Sequence, residues 1–276
     1  MTRIDELRQF LRTRTEHGIA LAFSGGTDSS FLLAVLKELH DGSAFPLAAF
    51  YMQTVFQTES ELEYARAAAA EAGVGLDVFH CDPLSLPELR FNPPDRCYIC
   101  KRHLFGQFLE AARARGIGTL IDGTNADDLN VYRPGRKALR ELGVVSPLAE
   151  LGFTKAEIRR LAAGRGLACA KKPSMPCLAT RFEYGTELTP ELLGRTGRGE
   201  ELIRELLPPE TDVRLRVHGT LARIEVPPDA LPRVLNCRDK INAGLRQLGF
   251  KFLTLDLEGF RSGCYDKKGV DTNEQT

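Results

Sequence analysis

Short apolar runs alternate with amphipathic segments over about the first 165 residues of the chain. Each run is apolar throughout, which is typical of a parallel strand buried on both faces, and each is followed by helical spacing of apolar positions. This alternation predicts a parallel sheet with helices on both faces, an α/β fold. The predicted helices span residues 4–15, 28–39, 59–72, 98–115 and 154–165, and the predicted strands span 18–23, 45–51, 75–79, 119–122 and a fifth that begins at 144.

The pattern changes after residue 168, where the first predicted domain, 1–168, ends. Residues 169–188 are irregular and contain prolines, which predicts a linker that carries one cysteine. A small α+β domain is predicted at 189–264, and the polar residues 265–276 are predicted to form a flexible tail. The elements expected in the small domain are helices at 189–207 and 231–248 and strands at 213–217, 221–226 and 252–257.

Composition and charge exclude several classes of protein. The chain has 276 residues, with 37 lysines and arginines and 37 aspartates and glutamates, so its formal net charge is zero. That balance counts against a basic protein that coats nucleic acid. No uncharged apolar run approaches the roughly 18 residues of a membrane span, and the first residues lack the apolar segment of a secretory signal. We therefore expect a cytoplasmic protein without a membrane segment.

The sharpest chemical signal is at residues 23–30, which read Phe-Ser-Gly-Gly-Thr-Asp-Ser-Ser. This segment follows an apolar strand and opens a helix, where backbone N–H groups and the positive helix end can hold a phosphate. It is not a Walker A loop. It resembles the Ser-Gly-Gly-x-Asp-Ser motif of PP-loop ATP pyrophosphatases, which attack the α-phosphate of ATP and release pyrophosphate. The predicted ATP-binding residues are Ser24, Gly25, Gly26, Asp28 and Ser29, with Asp28 also predicted to be catalytic.

Two further segments agree with a nucleotide site. Residues 122–128 follow a predicted strand at the carboxyl edge of the sheet, where ligands of open α/β sheets bind, and Gly123 is predicted to line the ATP pocket. Residues 146–148 and 154–159 resemble an element of many PP-loop enzymes. Each segment alone is also compatible with a capped helix or a polar loop, but together they favour ATP binding.

The seven cysteines favour reduced thiols over a disulfide framework, because their number is odd and the chain is large. Cys97 and Cys100 form a Cys-x-x-Cys pair at a predicted helix start, and Cys177 is a third candidate. Three thiolates can hold a [4Fe–4S] cluster with one iron open, although four cysteines are the commoner set. Two alternatives stay open: a zinc site without a visible fourth ligand, or two structural cysteines beside one catalytic cysteine. The remaining four have no such pattern: Cys81, Cys169, Cys237 and Cys264.

Arginines are concentrated between residues 181 and 223. Arg214 and Arg216 alternate on a predicted strand and so share one face, and two adjacent guanidinium groups suit a phosphate or a carboxylate. Glu200, on the preceding helix, and Glu225, on the adjacent strand, are candidate ion-pair partners or metal ligands. The ion-pair interpretation is the simpler one for both glutamates.

Nearly the whole chain, from about residue 4 to 264, resembles the LarE family. These are ATP-dependent sulfur transferases that build the nickel-pincer nucleotide cofactor of lactate racemase. The PP-loop alone is specific only to a superfamily, whereas the Arg-x-Arg strand and the Gly-Phe-Arg-Ser-Gly ending are closer to family-specific. The matching segments are 23–29, 122–123, 132–135, 181–189, 213–218, 222–225 and 255–263.

The resemblance implies a fold like that of the adenine nucleotide alpha hydrolases and a reaction that uses ATP and Mg²⁺. ATP would adenylate a carboxylate of pyridinium-3,5-biscarboxylic acid mononucleotide, and sulfur would then displace AMP, at both carboxylates in turn. Members with a lone cysteine at the position of Cys177 give up its sulfur and lack the Cys-x-x-Cys pair. This chain resembles the three-cysteine branch instead, which implies a [4Fe–4S] cluster on Cys97, Cys100 and Cys177.

The resemblance also implies the surroundings of the substrate and the assembly. Arg214 and Arg216 would anchor the phosphate of a nucleotide-like small molecule. Arg181, Glu200 and Glu225 would add contacts to the substrate or to an ion. A homo-oligomer, such as a hexamer, is implied as well.

Two rival functions stay open. A tRNA thiolase would also combine a PP-loop with three cysteines on a cluster, but it should display a basic face to the phosphate backbone. Zero net charge and the lack of an appended RNA-binding segment count against it. An ammonia-using amide synthetase would share the PP-loop but would not need the Cys-x-x-Cys pair.

Overall fold

A computed structural model describes residues 2–129, 134–171 and 175–261. The chain forms two compact units: unit 1 holds residues 1–89 and 94–175, and unit 2 holds residues 90–93 and those from 176 onward. This division differs from the predicted boundaries, because residues 90–93 belong to the second unit. The 3₁₀ turn Ala168–Lys171 crosses the start of the predicted linker, and a second one, Leu178–Arg181, lies within it. The predicted tail and Cys264 lie outside the described residues.

Unit 1 is built on a four-stranded parallel sheet with the strand order β3-β2-β1-β4. The sheet and the helices around it match the fold that the sequence predicts. The elements of this unit, in chain order, are α1 (Arg3–Arg12), β1 (Ile19–Ala22), α2 (Thr27–Gly42), β2 (Leu47–Gln53), α3 (Glu59–Glu71), β3 (Leu76–His80), α4 (Arg96–Ala114), β4 (Thr119–Asp122), α5 (Gly135–Glu141), α6 (Pro147–Glu150) and α7 (Lys155–Gly164).

Alternate residues of each strand pack into two separate hydrophobic cores, one on each face of the sheet. Ile19 and Leu21 of β1 belong to the core that includes side chains of α1, α2, α3 and α7. Ala20, between them, belongs to the other core, with Phe108 of α4 and Leu139 of α5. The predicted covering of both faces by helices is therefore confirmed.

The strand order creates a switch point in the sheet. The chain leaves β1 through α2 to reach β2 on one side, and it later returns to the other side of β1 at β4. Ala22 at the end of β1 pairs with Asp122 at the end of β4. The crevice outside these two carboxyl ends is where ligands of open α/β sheets bind.

Two local predictions are wrong in detail, and one helix was not predicted. Among the described residues, Val145 forms a single bridge to Ile121, not a fifth strand, because Pro147 begins α6 two residues later. Helix α5 has no counterpart in the predicted elements. The helix predicted at 231–248 is divided at Cys237.

Unit 2 contains a three-stranded sheet of order β5-β6-β7, with β5 antiparallel and β7 parallel to β6. Because β7 is parallel to β6, the chain must cross over between them, and two helices form that connection. None of the described helices is both long and apolar enough to cross a membrane. The elements of unit 2 are α8 (Pro190–Glu205), β5 (Arg214–His218), β6 (Leu221–Glu225), α9 (Leu231–Asn236), α10 (Arg238–Gln247) and β7 (Phe252–Leu255).

Candidate functional site

The turn between β1 and α2 holds the residues predicted to bind phosphate. Gly25 has φ +66°, and a Cβ atom there would lie 2.6 Å from the Cα atom of Ala65 in α3, so only glycine suits both the backbone and the space. Ser24 Oγ lies 3.1 Å from Ser29 Oγ, and the Ser24 N–H donates to the same oxygen at 3.3 Å. These hydrogen bonds join the turn to the first residues of α2.

The first turn of α2 begins differently from the first turns of α1, α7 and α8. Helices α1, α7 and α8 follow threonines whose hydroxyls accept hydrogen bonds from the first N–H groups. Helix α2 follows Gly26, which has no side chain to do so. N–H groups at a helix start carry the positive end of the helix dipole and suit an anion. The turn therefore has the chemistry of a phosphate site.

Asp28 lies in this first turn and is held by side chains from two other segments. Lys155 Nζ lies 2.6 Å from Asp28 Oδ2, and Asn125 Nδ2 donates to the same oxygen at 3.3 Å. The other oxygen, Oδ1, is buried and accepts no hydrogen bond within the described part of the chain. A carboxylate oxygen of this kind is the ligand that Mg²⁺ prefers, so Asp28 fits a magnesium site.

The loop after β4 lies directly against this turn. A Cβ atom at Gly123 would lie 3.0 Å from the backbone nitrogen of Ser29, so the small residue allows the two segments to approach. Asp122, which is buried beside it, accepts hydrogen bonds from Thr124 Oγ1 at 2.5 Å and from Ser146 Oγ at 2.6 Å. This bonding fixes the loop at the end of β4.

Asn125 and Lys155 are two functional candidates that the sequence patterns alone do not single out. Asn125 Oδ1 accepts from the Asp127 N–H at 2.9 Å, and Asp127 Oδ2 accepts from the Lys155 N–H at 2.7 Å. Thr154 caps α7 just before Lys155. The one sequence signal for Lys155 was its place in the segment that resembles other PP-loop enzymes.

The three cysteines predicted to hold a cluster are divided between the units. Cys97 and Cys100 are half-buried near the start of α4, three residues apart and so on one face of the helix. Cys177 belongs to unit 2 and precedes the turn Leu178–Arg181. Over the described ranges, no three His, Cys, Asp or Glu side chains form a group that could hold a metal ion. The cluster therefore stays a prediction.

Glu200 is the centre of a buried ion-pair network in unit 2. The Arg181 guanidinium donates to both of its oxygens, at 2.5 and 2.9 Å, and Arg204 Nη2 donates to Oε2 at 2.8 Å. The Leu215 N–H donates to Oε1 at 2.9 Å. Burial by itself would raise the pKa of Glu200, but the charge of Arg181, its hydrogen bonds and the charge of Arg204 lower that pKa to about 2.

Glu225 forms a second network on β5 and β6. Its two oxygens lie 3.1 Å from Arg216 Nε and 3.1 Å from Arg223 Nη2. Arg216 also donates to the carbonyl oxygens of Thr180, at 2.5 Å, and Arg261, at 3.2 Å. Arg216 is thus held in one orientation by a carboxylate and two carbonyl groups.

Arg214 is buried near the first network. Its guanidinium lies 4.7 Å from the centre of the Phe260 ring and donates to the Val213 carbonyl at 2.8 Å. Burial, followed by the charge of Arg181, lowers the pKa of Arg214 to about 10. Arg214 and Arg216 are both buried on β5, and Glu200 and Glu225 are each bonded to arginines.

Asn92 joins two distant segments within unit 2. It is buried in the left-handed region, with φ +46°, and its amide donates to the carbonyl oxygens of Phe182, at 3.1 Å, and Glu183, at 3.0 Å. The Gly185 N–H donates to the Phe91 carbonyl at 3.1 Å. The short segment 90–93 is therefore fastened to the residues that follow Cys177.

The chain is similar to known proteins over most of its length. A family model described as a PP-loop domain matches residues 1–84. An uncharacterized protein of Synechocystis is 36% identical over 95% of this chain and 96% of its own length. The pyridinium-3,5-bisthiocarboxylic acid mononucleotide synthase of Lactiplantibacillus plantarum is 34% identical over 89% of this chain and 87% of its own. An uncharacterized protein of Methanocaldococcus jannaschii is 31% identical over 88% and 91%, respectively.

Proposed function

Because the chain belongs to the LarE family of ATP-using sulfur transferases, we propose that it converts the carboxylates of pyridinium-3,5-biscarboxylic acid mononucleotide into thiocarboxylates. The observation that supports this most is the phosphate-binding turn at the switch point of the sheet. That turn occurs in a chain 34% identical, over 89% of its length, to a synthase of the bisthiocarboxylate.

The first proposed step activates the substrate. A carboxylate oxygen attacks the α-phosphorus of ATP, the bond from that phosphorus to the oxygen shared with the β-phosphate breaks, and pyrophosphate leaves with the electron pair. The N–H groups at the start of α2, with Ser24 and Ser29, would hold the phosphates. Asp28 would hold Mg²⁺, which when bound supplies positive charge where negative charge develops.

The second proposed step transfers sulfur. A sulfur nucleophile attacks the adenylated carbonyl carbon, and the bond from that carbon to the AMP oxygen breaks, so AMP leaves. We propose that Cys97, Cys100 and Cys177 hold a [4Fe–4S] cluster, which when bound would supply a sulfide for this attack. Two thiols on one face of α4 support the proposal, because they have the spacing of a pair of ligands.

The nucleotide substrate would be bound by unit 2. Arg214 and Arg216 are proposed to hold its phosphate, because β5 carries both guanidinium groups and each is oriented by its neighbours. The contribution of Arg181, Glu200 and Glu225 would be indirect. Their ion pairs and hydrogen bonds would hold in place the strand that carries Arg214 and Arg216. The homo-oligomeric state and the cytoplasmic location stay predictions.

The test of this function is an anaerobic reconstitution. The protein is purified without oxygen, its iron and sulfide are measured, and it is incubated with ATP, Mg²⁺ and the biscarboxylate mononucleotide. We expect AMP and pyrophosphate together with a product in which oxygen has been replaced by sulfur, detected by mass spectrometry. Release of ADP and orthophosphate would contradict the PP-loop assignment.

Single cysteine variants separate the two sulfur sources. Cys97→Ala, Cys100→Ala and Cys177→Ala should each lose both iron and sulfur transfer, while Cys81→Ala, a half-buried control, should lose neither. If only Cys177→Ala stops transfer, and the spent wild-type protein carries dehydroalanine at that position, Cys177 is the sulfur donor and the cluster proposal is wrong.

A further inference from the structure

Asn125 is a buried amide in the loop after β4, and its side chain reaches Asp28. Its Oδ1 atom accepts hydrogen bonds from the backbone N–H groups of Asp127, at 2.9 Å, and Asp128, at 3.2 Å. Because only the oxygen of an amide can accept a bond from an N–H group, these contacts assign the other terminal atom as Nδ2. The amide nitrogen is therefore the atom that faces Asp28, at 3.3 Å from Oδ2.

The loop holds Asn125 in this orientation through its own hydrogen bonds. The Asn125 N–H donates to Asp128 Oδ2 at 3.2 Å, so both the backbone and the side chain of this residue are bonded within the loop. Strand β4, which precedes the loop, pairs with β1, which precedes the turn that leads to Asp28. Asn125 is therefore an anchored donor that one strand of the sheet places beside a carboxylate following the neighbouring strand.

The two side-chain contacts described for Asp28 are with the same oxygen. Asn125 Nδ2 and Lys155 Nζ, at 2.6 Å, both lie against Oδ2. Oδ1 is buried and accepts no hydrogen bond from the residues that the structure describes. A lysine contacts its partner through a flexible four-carbon stem, whereas the Asn125 amide is fixed by two N–H groups. Asn125 is thus the contact that fixes which oxygen of Asp28 stays available.

A carboxylate with a single available oxygen favours one class of metal ion. Mg²⁺ requires nearly octahedral geometry and is bound by one or two carboxylates, together with water and the phosphates of a substrate. Ca²⁺ takes more oxygen ligands in a flexible geometry, and these can include both oxygens of one carboxylate. A carboxylate held so that only one oxygen can bind therefore suits Mg²⁺ better than Ca²⁺.

We propose that Asn125 is a positioning residue that determines the metal specificity of the ATP site. By donating to Asp28 Oδ2, it leaves Oδ1 alone for the metal that accompanies ATP. Asn125 contacts neither the metal nor the substrate in this proposal and acts only through Asp28. The inference rests on the proposed adenylation, because that reaction is what requires ATP and Mg²⁺.

Asn125→Ser and Asn125→Asp test this role, because each keeps an oxygen that can accept from the loop N–H groups but removes the amide donor. The dissociation constant of a non-hydrolysable ATP analogue is measured by titration calorimetry, once with Mg²⁺ and once with Ca²⁺. The wild type should bind the analogue at least about tenfold more tightly with Mg²⁺. In both variants this preference should fall roughly tenfold, and pyrophosphate release with Mg²⁺ should fall by a similar factor.

The preference for Mg²⁺ over Ca²⁺ is a readout that a purely structural role would not change, because a distorted loop would weaken the analogue by the same factor with both ions. Asn242→Asp is the matched control. It adds a carboxylate at an exposed position of α10 and should leave both dissociation constants unchanged. If urea unfolding shows that Asn125→Asp does not fold, Asn125→Ser, which adds no charge, decides the result.

The results separate this inference from the proposed function. If the folded variants keep the wild-type preference for Mg²⁺, if the wild type itself has none, or if neither variant folds, the inference is wrong. If the wild type binds the analogue but forms no thiocarboxylate, the proposed function fails, whereas a loss of the Mg²⁺ preference in the variants would still support the role of Asn125.

Discussion

The turn between β1 and α2 in unit 1 and the Glu200 network of unit 2 both hold charged groups, but these groups differ in how many of their hydrogen-bonding positions the protein fills. Both oxygens of Glu200 accept hydrogen bonds from guanidinium groups, and the carboxylate is fully buried. Asp28 has one oxygen bonded to Lys155 and a second that accepts no hydrogen bond from the residues described. The protein therefore supplies hydrogen bonds to both oxygens of Glu200 but to only one oxygen of Asp28.

This difference separates a carboxylate that stabilises the fold from one that can bind a ligand. A buried charge without a partner is strongly destabilising, so a network such as that of Glu200 must be complete within the fold. A site for a charged ligand gains from groups that are held in place but keep bonding capacity for the ligand. We therefore expect changes at Asp28 to affect turnover and changes at Glu200 to affect stability.

Asp28→Ala should produce the largest effect. If Asp28 holds the metal at the breaking bond, pyrophosphate release should fall at least about a thousandfold, which corresponds to about 4 kcal/mol. The unfolding free energy should change little, because the side chains of Asp28 and of its partner, Lys155, are both partly exposed. Pyrophosphate release is measured with a coupled assay, and unfolding with urea.

Asp77→Ala is the control for this variant. It removes another aspartate of unit 1 that pairs with a basic side chain, Arg115, at 2.6 Å. Its turnover should match that of the wild type. Equal losses of turnover in the two variants would mean that Asp28 has no specific role in the reaction.

Glu200→Gln tests the other side of the comparison. The amide cannot balance the charges of the buried Arg181 and the partly buried Arg204, which would lose their shared counter-ion. The unfolding free energy should fall by about 3 kcal/mol. A loss below about 1 kcal/mol in urea unfolding would show that the network does not support the fold.

Acid should weaken the same network. The pKa of Glu200 is lowered to about 2 from the ordinary value of 4.5 because of its arginine partners, despite burial. The carboxylate therefore contributes fully above pH 4.5, and its contribution, about 3 kcal/mol, is lost as the pH falls from 4.5 toward 2. Urea unfolding from pH 6 to pH 2, roughly the range over which carboxylates titrate, should be less dependent on pH in Glu200→Gln than in the wild type.

Arg214→Ala and Arg216→Ala sharpen the comparison inside unit 2, since both residues are buried yet proposed to meet a ligand. Loss of one charge-assisted contact should weaken the nucleotide substrate by about 1.5–3 kcal/mol, or roughly tenfold to a hundredfold. The KM for ATP should not change. Arg233→Ala serves as the control, because within the described ranges this arginine donates a side-chain hydrogen bond only to the Leu206 carbonyl, at 3.3 Å. An equal effect of all three variants would contradict a phosphate site on β5.

Much of the first region can be predicted from sequence, because its signals are local. The apolar strand β1, the glycine turn and the start of α2 adjoin one another along the chain, and their order identifies the site. The ion pair between Lys155 and Asp28 joins residues 127 positions apart, and no periodicity reports such a contact. The two residues meet because α7 packs against α2 in the fold.

The networks of unit 2 are less predictable, because they also join residues that are far apart along the chain. Arg214 and Arg216 can be assigned to one strand, and the glutamates can be named as candidate partners. Which glutamate bonds to which arginine depends on how α8 packs on β5, and the Leu215 N–H bond to Glu200 is part of that packing. Asn92, which donates to Phe182 across 90 positions, gives no sequence signal apart from the prolines that follow it.

The smallest expected effect comes from an ion pair that resembles the Glu200 network in distance but not in burial. Arg90 donates to Glu187 Oε1 at 2.6 and 2.9 Å, while the two side chains are 60% and 46% exposed. Water replaces most of the attraction when such a pair breaks, so Arg90→Ala should lower the unfolding free energy by less than about 1 kcal/mol. The urea midpoint of this variant should stay close to that of the wild type, although Arg181 and Glu200 form a bond of nearly the same length. A loss as large as that of Glu200→Gln would mean that the position of segment 90–93, and not burial of charge, decides the stability of unit 2.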